Sequence, residues 1–189
     1  MVRIEFFRRL DDFVIDLLLI LYSGYLQYLD ISLGKEIFCN HVGEPGSLNV
    51  MKSNPTNGII HLGHSNGTVT LWSPNQKSYV AKMLCHTVSN DTLFYEKVKR
   101  HLKSNILDTS ISLDGNYMAT SSMDSSIRIW DLRTWKNIAI HRLPKGARNI
   151  QFSQKGKLAT AFENVVEVWN GKLVTKDDKI FYEIIDLKC

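Results

Sequence analysis

His86 and Asp124 are the residues of this 189-residue chain whose types best fit proton-transfer chemistry: an imidazole and a carboxylate that could orient it. As a dyad they would activate a nucleophile, but no third group presents itself for that role. Asp124 stands in the turn SMDSS, where its carboxylate can accept backbone N–H bonds, so the pair reads as a strut rather than as a catalytic centre. Other enzyme signatures fail as well. The chain has no G-x-x-x-x-G-K-[ST], no G-x-S-x-G and no H-E-x-x-H. His61 and His64 lie three apart with no third ligand in sequence, and Cys39, Cys85 and Cys189 form no C-x-x-C pair. No catalytic centre, metal or cofactor is expected. What remains is cationic: Arg142, Lys145 and Arg148 around Pro144 and Gly146, and Lys97, Lys99, Arg100 and Lys103 in the segment 90–105. Such groups bind phosphates or acidic partners.

The elements that must hold these residues recur. A Gly-bearing turn, two short strands and a closing Trp read NPTNGIIHLGHSNGTVTLW at 54–72, SLDGNYMATSSMDSSIRIW at 112–130 and SQKGKLATAFENVVEVW at 153–169. The third copy is two residues shorter, and the missing pair falls in the turn between its strands. A period of ~40–45 residues with a Trp-Asp signature, here Trp130-Asp131, marks a WD-repeat β-propeller with four strands per blade. One such unit cannot bury its own apolar face, so the repeats must stack, and stacked repeats usually make a binding platform. In the unit 47–86, strands are predicted over 48–52, 58–63, 67–72 and 79–84, set off by Asn57-Gly58, Asn66-Gly67 and Pro74-Asn75. The unit 108–142 is the most regular, and a fourth begins near Ala147 and takes its last strand from 179–185. Segment 23–37 reads as the end of a degenerate blade, with Leu29-Asp30 where Trp130-Asp131 stands later.

Trp72 to Trp130 spans 58 residues and Trp130 to Trp169 spans 39, so about 19 residues insert between two blades. Asn90 or Asp91 could cap a basic amphipathic helix there, striped by Leu93, Phe94, Val98 and Leu102. The expected architecture is all-β: a partial propeller of about three recognisable blades plus part of a fourth, with short helices allowed near the N-terminus and at 91–103. Residues 1–22 form a divergent apolar segment, 23–172 the propeller arc with an insertion at about 90–108, and 173–189 a divergent tail. In WD repeats an Asp in the turn before the Trp strand commonly joins a His, a Ser or Thr, and the Trp in a buried hydrogen-bond network. His86, Ser121 or Ser122, Asp124 and Trp130 are the candidates here, with Asp131, Trp72 and Trp169 as further structural residues.

Composition is that of a globular protein, 44% hydrophobic and 22% charged, and the net charge of +4 permits contact with nucleic acid or an acidic partner. An odd cysteine count fits a reducing compartment better than a disulfide framework. Arg8-Arg9 followed by FVIDLLLILY at 13–22 resembles a signal sequence, but Asp11, Asp12 and Asp16 interrupt it. The run is shorter than the ~20 residues a membrane span needs, and a buried strand or helix fits it. The sequons at Asn66 and Asn90 would matter only in a secreted protein.

The stretch GSLNVMKSNPTNGIIHLGHSNGTVTLWSPNQKSYVAKMLCH at 46–86 resembles the BING-type WD-repeat family of the nucleolar small-subunit processome, associated with U-three small nucleolar RNA. The likeness resumes at SLDGNYMATSSMDSSIRIWDLR (112–133) and LPKGARNIQFSQKGKLATAFENVVEVWNGK (143–172), and includes SGYLQYLDISLGK at 23–35. Segments 7–22, 90–108 and 173–189 depart from the family pattern, as retained intron sequence or a truncated gene model would. The resemblance implies a nucleolar scaffold in 18S pre-rRNA processing, with processome proteins and pre-rRNA or snoRNA as partners, no small-molecule substrate and no membrane. The rival readings are a generic WD-repeat interaction module, a non-functional fragment, or a secreted or membrane-associated binding protein.

Overall fold

The computed structural model describes residues 3–8, 15–20, 24–31, 33–43, 47–73, 76–87, 105–163, 165–176 and 179–187, with side chains for those between 24 and 169. These residues form four antiparallel sheets, each of four strands joined in sequence order. The first holds β1 (Arg3–Arg8), β2 (Ile15–Ile20), β3 (Tyr25–Asp30) and β4 (Lys35–His41). The second holds β5 (Leu48–Ser53), β6 (Ile60–His64), β7 (Thr68–Trp72) and β8 (Ala81–Leu84). The third holds β9 (Ile106–Ile111), β10 (Tyr117–Ser122), β11 (Ser126–Asp131) and β12 (Lys136–Arg142). The fourth holds β13 (Asn149–Phe152), β14 (Leu158–Phe162), β15 (Val165–Lys176) and β16 (Lys179–Leu187). Each sheet is a propeller blade.

Two expectations are changed by this arrangement. The short helix allowed near the N-terminus is replaced by strands β1 and β2, paired residue by residue from Arg3 with Ile20 to Arg8 with Ile15. The apolar run belongs to a blade because β2 sits between two partners, β1 and β3, and a central strand can be apolar on both faces. The fourth sheet has all four strands, its last supplied by the tail as expected. The helix expected at 91–103 lies outside the described residues.

Turn chemistry sets where the strands begin. Gly24, Gly67 and Ser125 take φ of 84°, 81° and 63°, the left-handed region in which glycine has no Cβ penalty. Their carbonyls accept from the chain leaving the fourth strand: Val42 N at 2.7 Å, Cys85 N at 3.0 Å and Leu143 N at 2.7 Å. In these three blades one bond thus ties the entry of the third strand to the exit of the blade.

The blades stack through three apolar layers. Leu26 and Tyr28 pack on Met51, Ile60, Leu62 and Trp72. Val69, Leu71 and Cys85 pack on Ile106, Met118 and Trp130. Ala119, Ile127 and Ile129 pack on Ile150, Leu158, Phe162 and Trp169. Gly63 allows the second pair to approach, since a Cβ there would lie 2.4 Å from Val50 and 2.9 Å from Ile106. The first strands β5, β9 and β13 line up side by side and exchange polar bonds. Asn49 Nδ2 donates to Ile106 O at 3.1 Å, and the N–H groups of Ile150 and Phe152 donate to Asp108 Oδ2 and Ser110 Oγ, each at 2.9 Å. Among the described residues the packing runs from the first sheet through the second and third to the fourth.

Candidate functional site

His86 lies in the connection from β8 to β9, and Asp124 lies in the turn from β10 to β11. The fold brings them to 3.0 Å, His86 Nδ1 to Asp124 Oδ2. His86 Nε2 is 2.9 Å from Thr120 Oγ1, and Trp130 Nε1 donates to that same oxygen at 3.1 Å. With the ring proton on Nδ1, each polar atom of the chain finds its complement: indole N–H to hydroxyl, hydroxyl to imidazole, imidazole N–H to carboxylate. Ser126 closes the far side, donating to Asp124 Oδ1 from its hydroxyl at 2.7 Å and its backbone N–H at 2.8 Å. Burial acts to raise the Asp124 carboxyl, but the hydrogen bonds from His86 and Ser126 outweigh it and hold it below the usual carboxylate range.

This constellation has the order carboxylate, imidazole, hydroxyl of a nucleophilic triad. Its chemistry is closed. His86 and Thr120 are each 0% exposed, and the Thr120 oxygen that would attack already accepts from Trp130. A substrate carbonyl has no path to it. The arrangement bolts the blade-joining loop to the next blade.

Thr120, and not Ser121, supplies the hydroxyl that meets His86 Nε2, while Ser122 Oγ accepts from Asp124 N at 3.2 Å. Side chains alternate along a strand, and Thr120 is opposite Arg128 and two places from Met118, the partner of Trp130. Ser121 therefore points to the other face, where its hydroxyl donates to Asp108 O at 3.4 Å. Thr160 holds the same place relative to Trp169, which pairs with Leu158, and it accepts from Trp169 Nε1 at 3.2 Å. Blade two has Leu62 at this position. There Trp72 Nε1 turns to Thr70 Oγ1 at 2.9 Å, and His64 Nε2 meets the same oxygen at 2.7 Å. Asp131 holds the turn after β11, accepting from Arg133 N at 2.9 Å and pairing with its guanidinium at 2.9 Å.

His61 and His64 stand on opposite faces of β6, as an odd separation in a strand requires, so they share no ligand. Burial pushes both imidazoles down to about 4, with Lys82 adding to the effect at His64. Asn66 is engaged as a turn residue, accepting from Thr68 N at 3.1 Å and Thr68 Oγ1 at 2.7 Å. Burial pushes the Cys85 thiol up to about 12, which leaves it without thiolate character near neutral pH.

Arg142 ends β12, Lys145 and Arg148 follow in the connection to β13, and all three are exposed. Gly146 lets that loop press on the neighbouring turn, since a Cβ there would lie 2.7 Å from Ser122 O. Lys145 pairs with Glu163. Lys97, Lys99, Arg100 and Lys103 fall outside the described residues. Among the described residues no helix is long and apolar enough to cross a membrane.

Residues 16–186 match the β-propeller family described as nucleolar protein 10-like, N-terminal domain. The chain belongs to this family. It is also 40% identical over 151 residues to mouse WD repeat-containing protein 46, covering 79% of this chain and 22% of that protein. The human protein of the same name matches at 40% over 151 residues, again 79% and 22%. The Saccharomyces cerevisiae protein named U3 small nucleolar RNA-associated protein 7 matches at 32% over 157 residues, 82% of this chain and 25% of that one. The chain therefore spans about a quarter or less of the length of the curated relatives it matches. WD-repeat propellers of this kind are typically non-catalytic.

Proposed function

We propose that this chain is a non-catalytic WD-repeat scaffold of the small-subunit processome, acting in the nucleolus in 18S pre-rRNA processing and small ribosomal subunit biogenesis. The observation that carries this reading is the run of identity to WD repeat-containing protein 46 and to U3 small nucleolar RNA-associated protein 7 across most of the chain. The sealed His86–Asp124–Thr120 network supports a structural rather than a reactive role for the chain's best proton-transfer groups. Processome proteins are the partners, with pre-rRNA or snoRNA meeting the exposed loop of Arg142, Lys145 and Arg148. Lys97, Lys99, Arg100 and Lys103 extend the same positive charge along the chain. The test is affinity purification of the tagged full chain from growing cells, with protein identification and probing for U3 small nucleolar RNA. Recovery of processome proteins together with nucleolar fluorescence is the expected result. Recovery of an unrelated assembly with exclusion from the nucleolus would replace the reading by that of a generic WD-repeat interaction module.

A further inference from the structure

The ends of the first strands enclose a cavity of about 340 Å³ on the face opposite to the Arg142 loop. It is built by the repeat. Asn54, Ser112 and Ser153 open equivalent turns, and the residues two before, one before and one after each of them form the wall. Those triplets are Lys52, Ser53 and Pro55; Ser110, Ile111 and Leu113; Gln151, Phe152 and Gln154. Repetition fixes the shape, and divergence fixes the chemistry.

The wall carries one cation, Lys52, and no carboxylate. Asp114 in the adjoining turn faces inward on its own loop, accepting from Ser112 Oγ at 2.5 Å and from Asn116 N at 3.1 Å. Lys155 and Lys157 are exposed in the next turn and add positive charge. The wall also holds the hydroxyl of Ser153 and the amide of Gln154, which can donate to an oxygen anion. Leu113 is 60% exposed at the rim and offers apolar surface beside them.

We propose that this cavity binds an acidic, apolar-flanked protein segment, with one carboxylate at Lys52 and a neighbouring apolar side chain on Leu113. Charge complementarity selects the carboxylate. RNA is the poorer occupant, because stacked bases need an open aromatic face, whereas Phe152, the one aromatic side chain of the wall, is buried. The site is separate from the Arg142 loop, so it stands or falls independently of RNA contact there.

The test is fluorescence anisotropy on the full chain, using a labelled ten-residue peptide alternating Glu and Leu and a counterpart alternating Lys and Leu. The Glu peptide is expected to bind and the Lys peptide to bind at least tenfold more weakly. Lys52→Glu and the rim variant Leu113→Ser should each weaken the Glu peptide at least tenfold with an unchanged circular dichroism spectrum. Equal binding of both peptides, insensitivity to both cavity variants, or displacement by an oligouridine at equal charge would overturn the proposal.

Discussion

Thr120 carries more of the blade junction than its size implies. Its hydroxyl is the acceptor for Trp130 and the partner of His86, so Thr120→Val removes one oxygen and orphans two buried nitrogens. The expected cost is ~2–4 kcal/mol, from roughly 1–3 kcal/mol for a buried unpaired group, whereas Ser121→Ala should cost ~1 kcal/mol or less. Urea unfolding of the two variants checks the ranking, and an equal loss would remove Thr120 from the network's centre. Trp130→Ala should cost ~3–5 kcal/mol as a core aromatic truncation, and Asp124→Ala ~1–3 kcal/mol. Acid sensitivity belongs to this scale too. His61 and His64 titrate near 4 in the fold against an ordinary value of 6.5, so between those values the unfolded chain binds more protons. Stability should therefore fall as pH drops from about 6.5 toward 4, by on the order of 3 kcal/mol for each imidazole. Asp124, held low, adds a further loss only as pH falls through its own lower range. The urea midpoint followed from pH 7.5 to 4.5 should decline, and His64→Asn should flatten part of that decline.

At the scale of elements, the turns do the specifying. Ser125 occupies a left-handed position where the equivalent residues in blades one and two are Gly24 and Gly67. A left-handed non-glycine costs ~1–2 kcal/mol, offset by the extra ~0.5–1 kcal/mol that glycine loses on folding. Ser125→Gly should then stabilise by about 0.5–1 kcal/mol, read as a rise in melting temperature. The opposite outcome is expected at Gly115, whose φ is 70°. Its carbonyl accepts from Asn54 Nδ2 at 3.0 Å, and an added Cβ would lie 2.0 Å from Thr56 Oγ1. Gly115→Ala should destabilise by ~2–3 kcal/mol through backbone strain and separation of two blades' turns. Asn54→Ala should reproduce part of that loss without the strain.

At the scale of the molecule, the described part of blade four presents small apolar side chains on the face turned away from blade three. Ala159, Ala161, Val166 and Val168 alternate with the residues that pack on blade three, and Val166 is exposed. An apolar sheet face in water drives association. The chain on its own should sediment as a concentration-dependent mixture, and a monomer of high, cooperative thermal stability would argue for a closed ring. Binding of single-stranded RNA, measured against salt, should weaken along a straight log–log line. Replacing Arg142, Lys145 and Arg148 together should reduce that slope by roughly 0.7 for each phosphate that is no longer neutralised. Arg142 and Arg148 should account for most of it, because Lys145 already pairs with Glu163.

The all-β class, the blade period, the strand bounds of blade two to within about two residues and the buried Trp72, Trp130 and Trp169 were legible in the residues. They follow from local rules: positive-φ turns, alternation with period two, and a repeat that cannot bury itself alone. Alternation from Trp130 back across the sheet to Met118 could also have chosen Thr120 over Ser121. The sequence left the apolar run at 13–22 as strand or helix, because periodicity cannot separate the two over so short a stretch. Pairing of β2 on both sides decided it. Whether His86 and Asp124 react or only hold was also beyond local reading, since it depends on the burial of Thr120, which blade two and blade three create together. The cavity at Lys52 is likewise a property of three strands roughly 40–60 residues apart in sequence, and only their side-by-side packing gathers its wall.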